Sequence, residues 1–404
     1  MKRRGYGPGG QRSASEVRVD AEMVQKLRIG FAMEQTLGHV AYGLSLRAAL
    51  AKRRDVECEW LDVPFKADGI GRVPLIGTNW TVRGSLRAAS AIARSHAERR
   101  LDALFVHTQT IGLFSGPFMA KIPTLLSVDA TPINYDDLAH YYGDKVHPAP
   151  IERVKRWAHR AVMQKSRWFT SWSHWAKDSL VRDYGVDAEK ITVIHPGTVL
   201  GNFPAPDTRT SRNGGPLRVL FVGGDFPRKG GDLLLEVERV LRGKIELHLV
   251  TGADVPPGPG VFVYRGLKPH SPELLRRYAE ADVFVLPTRA DCLAVVLGEA
   301  MASSLPIITT RVGAHAEAVE DGKSGYVIDV DDVAALKDRL ERLAGDSEAA
   351  LKMGRRAREI GAERFDMEKN ANRILDILVA LSSGEAPGKT RAATNGAQTT
   401  SLRT

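Results

Sequence analysis

The sequence contains little cysteine and no long apolar run. Two of its 404 residues are cysteines, Cys58 and Cys292, which excludes a disulfide framework and a cysteine-based metal cluster and is typical of a reducing compartment. No segment approaches the ~18 uninterrupted apolar residues of a membrane span, and residues 1–16 lack the apolar core of a signal peptide. These absences predict a cytoplasmic protein. Cys292 is interpreted as a small apolar residue, since no histidine and acid near it in sequence suggest a nucleophile.

The sequence does contain an excess of positive charge. Its formal net charge is +9, in a chain that is 43% hydrophobic and 26% charged, and these proportions are typical of a globular protein. The charge favours an acidic partner, which could be a nucleotide diphosphate, an anionic lipid surface or nucleic acid. The length predicts two or three domains.

The stretch 281–328 organises the chain, because its pattern predicts a strand, a loop, a helix and a second strand. The predicted elements are a buried parallel strand at 283–286, a helix at 293–303 and a strand at 305–309. In such a unit the loop after the first strand and the first helical turn line a ligand crevice, where backbone N–H groups suit a phosphate or sugar hydroxyls. Asp291 at the helix entrance and Glu299, about two turns later, can both lie near one edge of this helix.

This stretch resembles the signature of the retaining glycosyltransferases of family 4. In that family a Glu-x7-Glu pair is followed by EAMA-x-G-x-P and a GG-x-x-E loop. The matching residues are Glu299-Ala300-Met301-Ala302, Pro306, Gly313 and Glu317, whereas Asp291, Ser304 and Ala314 replace a Glu and two Gly residues. The competing interpretation is an ordinary core unit with a helix-capping Asp291, which a match at several fixed spacings disfavours.

The resemblance implies an α/β protein of the GT-B fold, with two Rossmann-like doubly wound domains facing across a cleft. Strands that alternate with helices in the N-terminal half agree with a doubly wound sheet. These predicted strands are 27–33, 56–63, 103–107, 124–128, 168–171 and 191–194. The predicted segments are a disordered tail at 1–26, an acceptor-side domain at 27–202, a linker at 203–216, a nucleotide-sugar-binding domain at 217–365, a helix crossing back to the first domain at 366–381 and a disordered tail at 382–404.

Three residues of the N-terminal half are candidates for the site. Gly38 lies between a predicted strand and a predicted helix, where a backbone can approach a phosphate, although a glycine there is also compatible with an ordinary turn. The resemblance implies that this loop faces the donor diphosphate. Asp129 follows a strand at its carboxyl end, at a position where family members often carry a His that contacts the transferred sugar, so both a substrate contact and a turn cap stand. His107 is open to two interpretations in the same way, a buried histidine or a substrate ligand.

The segment 223–231 predicts an anion site in the C-terminal half. Gly223 and Gly224 let a backbone come close, Arg228 supplies a guanidinium and Lys229 a point charge at a helix N-terminus. The segment has no Gly-Lys-Ser/Thr ending, so it is not a Walker loop. It resembles the phosphate loop of family 4, in which an Arg follows the first Gly. Gly224 stands near that position, which transfers the guanidinium role to Arg228.

The resemblance also implies contacts with a nucleotide-sugar donor. It places the nucleobase on the backbone of the turn that contains Leu267, the ribose on Glu299 and a sugar hydroxyl on Asp291. The backbone groups of Leu293, Ala294 and Val295 are implied to lie near the donor. Asp291, Asp129 and Lys229 are the candidate catalytic residues, and a double displacement with Asp291 or Asp129 as nucleophile is a less favoured alternative to attack assisted by the departing phosphate.

The segment 151–175 is basic and aromatic. Its arginines recur at helical spacing on one side and its apolar residues on the other. The arginines are Arg153, Arg156, Arg160 and Arg167; the apolar residues are Ile151, Val154, Ala158, Ala161 and Val162; Trp157, Trp168, Trp172 and Trp175 are interspersed. Two interpretations stand, a helix that meets an anionic membrane and brings the enzyme to a lipid-linked acceptor, and a solvated basic face.

These observations predict a retaining glycosyltransferase that uses a nucleotide-sugar donor and a glycan, lipid-linked or small-molecule acceptor, with no nucleic acid partner. The alternatives are a nucleotide-sugar hydrolase or epimerase on the same fold, and a non-catalytic nucleotide-sugar-binding protein. No cofactor and no essential metal are expected, because Asp329-Val330-Asp331 joins a strand to a helix and Asp331 or Asp332 is better interpreted as an N-cap than as a metal ligand.

Overall fold

The computed structural model describes residues 26–36, 38–65, 79–142, 148–203 and 214–387. Nearly all of the N-terminal tail predicted at 1–26 therefore lies outside the described residues. The same is true of most of the linker predicted at 203–216 and of most of the tail predicted at 382–404.

The described residues form two six-stranded parallel sheets. The strands of the first are β1 Leu27–Gln35, β2 Val56–Pro64, β3 Ala103–His107, β4 Thr124–Val128, β5 Trp168–Ser171 and β6 Ile191–Val193; those of the second are β7 Leu217–Val222, β8 Ile245–Val250, β9 Val261–Tyr264, β10 Val283–Leu286, β11 Ile307–Thr310 and β12 Gly325–Ile328. Strands such as β3, β4 and β10 are buried along their whole length, as expected of parallel strands covered on both faces.

Helices cover both sheets. They are α1 His39–Leu50, α2 Trp80–Glu98, α3 Gln109–Gly112, α4 Gly116–Met119, α5 Pro132–Asp136, α6 Ala139–Tyr142, α7 Ala149–Met163, α8 His174–Tyr184, α9 Gly231–Val240, α10 Pro272–Glu280, α11 Val295–Ala302, α12 His315–Ala318, α13 Val333–Gly345, α14 Ser347–Arg364 and α15 Met367–Ser382. The predicted architecture, two doubly wound Rossmann-like domains, is confirmed. In the described part of the chain, no helix is both long enough and apolar enough to cross a bilayer.

The strand order of each sheet reverses once, and these reversals position the site. The first sheet runs β2-β1-β3-β4-β5-β6 and the second β12-β11-β10-β7-β8-β9. In doubly wound sheets, ligands bind beyond the carboxyl ends of the strands that flank the reversal. Those strands are β1 and β3 in the first sheet and β7 and β10 in the second.

The last helix returns to the first domain. The backbone N–H of Thr198 donates to the carbonyl of Phe365 at 2.7 Å, and that of Met367 donates to the carbonyl of Thr198 at 3.1 Å. A Cβ on Gly197 would lie 2.5 Å from the Met367 Cα, so only glycine permits this approach. From there α15 packs against α1, β3 and β4.

The basic aromatic segment 151–175 spans three elements and is not one exposed surface. It comprises most of α7, the strand β5 and the start of α8. Trp172 is buried in the core, and Trp168 and Trp175 are partly buried. Trp157, by contrast, is 71% exposed. Any surface function of this segment therefore belongs to α7.

Ser304 replaces a glycine of the family signature, and its backbone shows why glycine is usual there. It has a positive φ of 54°, a conformation that costs an L-residue roughly 1–2 kcal/mol. Its hydroxyl is buried without a hydrogen-bond partner among the described residues. Ser304 therefore carries both backbone strain and an unsatisfied polar group.

We expect Ser304→Gly to stabilise the protein by about 1 kcal/mol, because it removes both penalties. The thermal unfolding midpoint should rise by roughly 2–4 °C. Ser303→Gly is the matched control, since Ser303 has an ordinary φ of −90° and its replacement relieves no backbone strain. A midpoint for Ser304→Gly at or below that of the wild type would contradict this account.

Candidate active site

The glycine-rich segment 223–230, called the anion loop below, follows β7 and folds tightly against the end of β10. A Cβ on Gly223 would lie 2.8 Å from the Phe221 ring, and one on Gly230, where φ is +76°, would lie 2.0 Å from the Pro287 carbonyl oxygen. Both positions therefore require glycine. Gly224 has open space around it, so packing does not explain it. This loop leads directly into α9.

Arg228 clamps the anion loop and also contacts the first domain. Its guanidinium is buried and donates to Asp225 Oδ2 at 2.8 Å and to the carbonyl of Ala290 at 2.7 Å. Its Cζ lies 4.4 Å from the centre of the Tyr142 ring, in cation–π geometry. Several of its N–H donors are thus used within the protein, so Arg228 stabilises the loop conformation and is also a candidate anion ligand.

Lys229 and Asp291, two of the three candidate catalytic residues, form an ion pair. Burial would raise the pKa of Asp291, but the charge of Lys229, the Lys229 hydrogen bond and the charge of Arg228 hold it below its usual value. His315 lies 3.9 Å from Asp291 Oδ2. Burial lowers the pKa of His315 to about 4, so its imidazole is neutral. Asp291 is ionised, and it does not cap α11, whose N-cap residue is Ala294.

The first turn of α11 meets the start of α1. A Cβ on Gly38 would lie 3.7 Å from Val295 Cγ2, so the predicted loop of the first domain touches the helix entrance of the second. The side chains of Leu293, Ala294 and Val295 are buried. The Ala294 N–H donates to His315 Nε2 at 3.3 Å, so part of the backbone predicted to lie near the donor is already engaged.

Three helices that begin at the cleft lack a side-chain cap. Among helices of eight or more residues in the described ranges, α1, α7, α9 and α11 have no capping hydrogen bond at the N-terminus. The others have one from Asn, Ser or Asp. Of the four, α1, α9 and α11 start at the carboxyl ends of strands that flank a strand-order reversal. Their N–H groups and dipoles favour an anion there.

Asp129 lies beside a residue that sequence reasoning did not select, His39. The distance from His39 Nε2 to Asp129 Oδ2 is 3.1 Å. Burial alone would lower the pKa of His39, but Asp129, helped by Glu34 and Asp291, raises it to about 9. Burial would raise the pKa of Asp129, whereas the His39 charge and hydrogen bond hold it below its usual value. The pair is therefore an imidazolium and a carboxylate at neutral pH.

His107 lies under this pair and is a buried histidine. It is fully buried, its Nδ1 lies 3.0 Å from Ser127 Oγ, and burial together with the His39 charge lowers its pKa well below the usual value. Its ring stacks on Trp172 with centroids 5.1 Å apart. This geometry favours the buried-histidine interpretation over a substrate ligand.

Glu299 is buried within the second domain. It is 3% exposed and accepts a hydrogen bond of 2.7 Å from the hydroxyl of Tyr278 on α10. Burial raises its pKa to about 7, although the Tyr278 hydrogen bond opposes that change. Leu267 is partly buried in the turn after β9, next to Gly266 with a φ of +73°.

Two further signature residues, Gly313 and Glu317, support the walls of the cleft. A Cβ on Gly313, where φ is +51°, would lie 2.2 Å from the carbonyl oxygen of Asp291, so this glycine supports the loop that holds the acid. Glu317 accepts hydrogen bonds from the backbone N–H groups of His174 and Trp175 at 2.8 and 2.7 Å. A carboxylate of the second domain thus binds the N-terminus of α8 in the first.

Asp331 of the Asp-Val-Asp segment 329–331 and the following Asp332 both make hydrogen bonds within the protein. Asp332 caps α13 by accepting from the Ala335 N–H at 2.8 Å, and Asp331 accepts from Arg289 Nε at 2.7 Å. Within the described ranges, no group of three His, Cys, Asp or Glu side chains is arranged to hold a metal ion. The Cys292 thiol is buried, and burial raises its pKa well above the usual value, in keeping with its interpretation as a small apolar residue.

His39 and Glu34 are the site residues that sequence reasoning missed. Glu34 is 5% exposed and accepts hydrogen bonds from Thr108 Oγ1 at 2.7 Å, Trp80 Nε1 at 3.0 Å and Thr36 Oγ1 at 2.9 Å. The available signal was an acid and a histidine on either side of Gly38 in a strand-to-helix turn, which is a place where functional polar residues gather.

Two family models match the chain in its two halves. The model described as Glycosyltransferase Family 4 matches residues 38–201, and the one described as Glycosyl transferases group 1 matches residues 216–346. The D-inositol 3-phosphate glycosyltransferase of Corynebacterium efficiens is 29% identical over 236 residues, which are 52% of this chain and 55% of that protein. The chain spans about half the length of the curated relatives it matches.

Solved structures share the fold across most of the chain. Sucrose-phosphate synthase from Thermosynechococcus elongatus superimposes with a TM-score of 0.71 at 18% identity and covers 89% of this chain and all of that one. Anabaena HepE in complex with UDP-glucose superimposes with a TM-score of 0.63 at 14% identity, over 88% of this chain and 100% of HepE. These likenesses confirm the predicted GT-B fold.

The raised pKa of Glu299 predicts a pH-dependent stability. A carboxyl whose pKa is higher in the folded than in the unfolded protein holds extra protons when folded, so its contribution to stability falls as pH rises from about 4.5 through about 7. Glu299→Gln should remove this loss. The thermal midpoint of the variant relative to wild type should therefore rise between about pH 5 and about pH 8.

Tyr278→Phe is the companion variant. It keeps the carboxyl but removes the donor that favours its ionised form, so its loss of stability should extend to higher pH than in the wild type. Parallel pH profiles for wild type and Glu299→Gln would show that Glu299 titrates normally.

Proposed function

The chain belongs to the family 4 glycosyltransferases of the GT-B fold, and from this membership we propose that it transfers a sugar from a nucleotide-sugar donor to an acceptor with retention of anomeric configuration. The observation that carries the proposal is the convergence of the uncapped N-termini of α1, α9 and α11 beside Lys229. Cleavage of the donor leaves negative charge on the departing diphosphate, and preorganised donors and positive charge lower the energy of that state.

The proposal gives several polar groups of the cleft a task. Lys229 and the N–H groups of α9 neutralise the diphosphate, while the α1 turn at Gly38 approaches it from the first domain. Asp291 contacts a hydroxyl of the transferred sugar, and Glu299 accepts from the donor ribose. Asp129 belongs to the sugar side of the cleft. The departing phosphate assists the acceptor on the same face, which retains configuration, and no metal takes part because side chains and helix dipoles supply the positive charge.

The comparisons support the donor class and suggest acceptors to test. HepE was solved with UDP and with UDP-glucose, so a nucleoside diphosphate sugar is the proposed donor here. The name of the curated relatives makes D-inositol 3-phosphate one compound for the acceptor screen, beside carbohydrate and lipid-linked acceptors.

The test is a product assay with UDP-, GDP- and ADP-glucose and the acceptor panel, in which nucleoside diphosphate release and the anomeric configuration of the product are followed by NMR. Lys229→Ala should lower kcat/KM by about ten- to a thousandfold, because it removes charge stabilisation of the departing diphosphate. Lys323→Ala is the control, since Lys323 is an exposed lysine of the same domain.

Four outcomes, the last of them in assays with EDTA, would count against the proposal. Wild-type turnover in Lys229→Ala would reject the anion loop as the diphosphate site. An inverted product would reject retention. Diphosphate release that needs no acceptor would indicate a hydrolase, and activity lost in excess EDTA and restored by Mg²⁺ would reject the metal-free mechanism.

We propose in addition that α7 docks on an anionic membrane. Ile151, Val154 and Trp157 are 51%, 65% and 71% exposed, and their spacing places them on one side of the helix. The exposed residues Arg153, Arg156 and Arg160 lie beside them. A solvated basic face explains the arginines but not three exposed apolar residues, whereas an interfacial helix explains both.

The position of α7 suits delivery of a lipid-linked acceptor. Lys155 on α7 binds Asp136 Oδ1 on α5 at 2.7 Å, and α5 begins three residues after Asp129. Tyr142, which ends the preceding helix, lies against Arg228 of the anion loop. A bilayer at α7 would therefore lie close to the cleft.

Vesicle binding tests this proposal, with phosphatidylcholine vesicles that contain or lack phosphatidylglycerol. Burying a large apolar side chain contributes about 1.5–3 kcal/mol, so Trp157→Ser should weaken binding about tenfold or more. Each arginine near an anionic surface contributes about 1 kcal/mol, so replacement of Arg153, Arg156 and Arg160 by Gln should abolish the preference for phosphatidylglycerol.

Val240→Ser is the matched control, because Val240 is 63% exposed on α9 in the other domain. Wild-type protein that does not sediment with the anionic vesicles, or a loss in Val240→Ser equal to that in Trp157→Ser, would refute docking through α7.

A further inference from the structure

His39 has one ring nitrogen engaged and one unpartnered. Nε2 lies 3.1 Å from Asp129 Oδ2, whereas Nδ1 is buried and has no hydrogen-bond partner among the described residues. The Glu34 carboxylate is 3.9 Å from Nδ1, which is too far for a hydrogen bond. Most buried polar atoms are satisfied, so an unpartnered one beside the cleft is a candidate contact for a ligand atom.

The His39 ring is held in this orientation. It packs edge-on against His107 and Trp172, with centroid distances of 4.7 and 5.7 Å. Glu34 already accepts hydrogen bonds from Thr108, Trp80 and Thr36, so it does not depend on His39 for a donor. Since Asp129 occupies Nε2, Nδ1 is the ring nitrogen that remains for a ligand.

The charged groups around His39 determine the protonation state of its two ring nitrogens. Four titratable groups interact electrostatically with His39: Glu34 from β1, His107 from β3, Asp129 after β4 and Asp291 after β10. The three carboxylates among them raise the pKa of His39 to about 9, although burial alone would lower it. Both ring nitrogens of the imidazolium carry a proton at neutral pH. The Nε2–H donates to Asp129, and the Nδ1–H is left without an acceptor.

The position of His39 connects it with the diphosphate. It is the first residue of α1, directly after Gly38, and the Gly38 turn touches Val295 at the start of α11. Asp291, which is the ion-pair partner of Lys229 in the second domain, contributes to the raised pKa of His39. The His39 imidazolium lies on the first-domain side of the cleft and the anion loop on the second-domain side. An anion bound between them could therefore contact positive groups of both domains.

We propose that His39 is a catalytic residue whose Nδ1–H donates to an oxygen of the departing diphosphate, and that Asp129 is the positioning residue that orients its ring. This rests on the proposed glycosyl transfer. When the bond between the anomeric carbon and the phosphate oxygen breaks, its electron pair goes to that oxygen, and His39 stabilises the added charge while keeping its proton.

The test measures binding of UDP, GDP and ADP and of the corresponding nucleosides by calorimetry, using whichever pair binds the full-length wild-type protein most tightly. At about pH 7.5, His39→Gln should weaken the diphosphate about ten- to a hundredfold while leaving the nucleoside unchanged, since a charge-assisted hydrogen bond to phosphate is lost. His140→Gln is the control, because His140 is exposed.

The pH dependence distinguishes a charged contact from a structural one. Wild-type affinity for the diphosphate should fall as pH rises through about 9, where His39 loses its proton. In Asp129→Asn the imidazolium loses its partner, so this fall should move towards the ordinary histidine range near pH ~6.5, and lower pH should restore binding.

Unchanged diphosphate affinity in His39→Gln would overturn the inference, as would equal weakening of nucleoside and diphosphate, which would indicate a structural role. An Asp129→Asn profile that follows the wild type would overturn the role of Asp129. If the wild type binds none of the three diphosphates, the proposed donor fails together with this inference. If the wild type transfers sugar and His39→Gln binds the diphosphate as tightly as the wild type, this inference fails and the proposed function stands.

Discussion

Buried cations need partners, and this cleft pairs each of its cations with a carboxylate. Lys229 is paired with Asp291 and His39 with Asp129, and Arg228 binds Asp225 in the same way. A lone buried charge costs several kcal/mol, and a paired one costs far less. The pairing therefore keeps positive groups in a largely buried cleft when no anion is present. It also explains why the candidate acids are ionised, because a neighbouring cation offsets the effect of burial on the pKa of Asp291 and of Asp129.

A carboxylate also pairs with partial positive charge at a helix N-terminus, and this contact joins the two domains. Glu317 of the second domain accepts from the first N–H groups of α8 in the first, so a carboxylate satisfies donors that a helix leaves open. The starts of α1, α9 and α11 receive no such group from a capping side chain. Since these ends lie near Lys229, they favour an anion such as the diphosphate of the proposed nucleotide-sugar donor. The close packing of Gly38 and Val295 at an ordinary contact distance sets how far apart two of these ends lie.

Sequence reasoning predicted the elements well because they depend on local pattern. The apolar runs of β10 and β11 and the helix between them were placed to within two residues, and the glycines of the anion loop indicated a strand-to-helix turn. What it missed depends on distance along the chain. His39 meets Asp129 across 90 residues and Lys229 meets Asp291 across 62, and no local period encodes such pairs. The hydrogen bond from Arg228 to the Ala290 carbonyl and the one from Tyr278 to Glu299 could not be predicted for the same reason.

The departures from the family signature can be understood together once these pairs are known. A carboxylate at position 129, where the family often has a histidine, would repel an anionic donor if it stood alone. Beside His39 it is neutralised, and an imidazole remains in the same part of the cleft. Asp291 is likewise neutralised by Lys229. The carboxylates therefore do not cancel the attraction of the site for a diphosphate, because the uncapped starts of α1, α9 and α11 add partial positive charge that no acidic side chain caps. The substitutions are thus compatible with the electrostatics that the proposed sugar transfer requires, although different residues provide it.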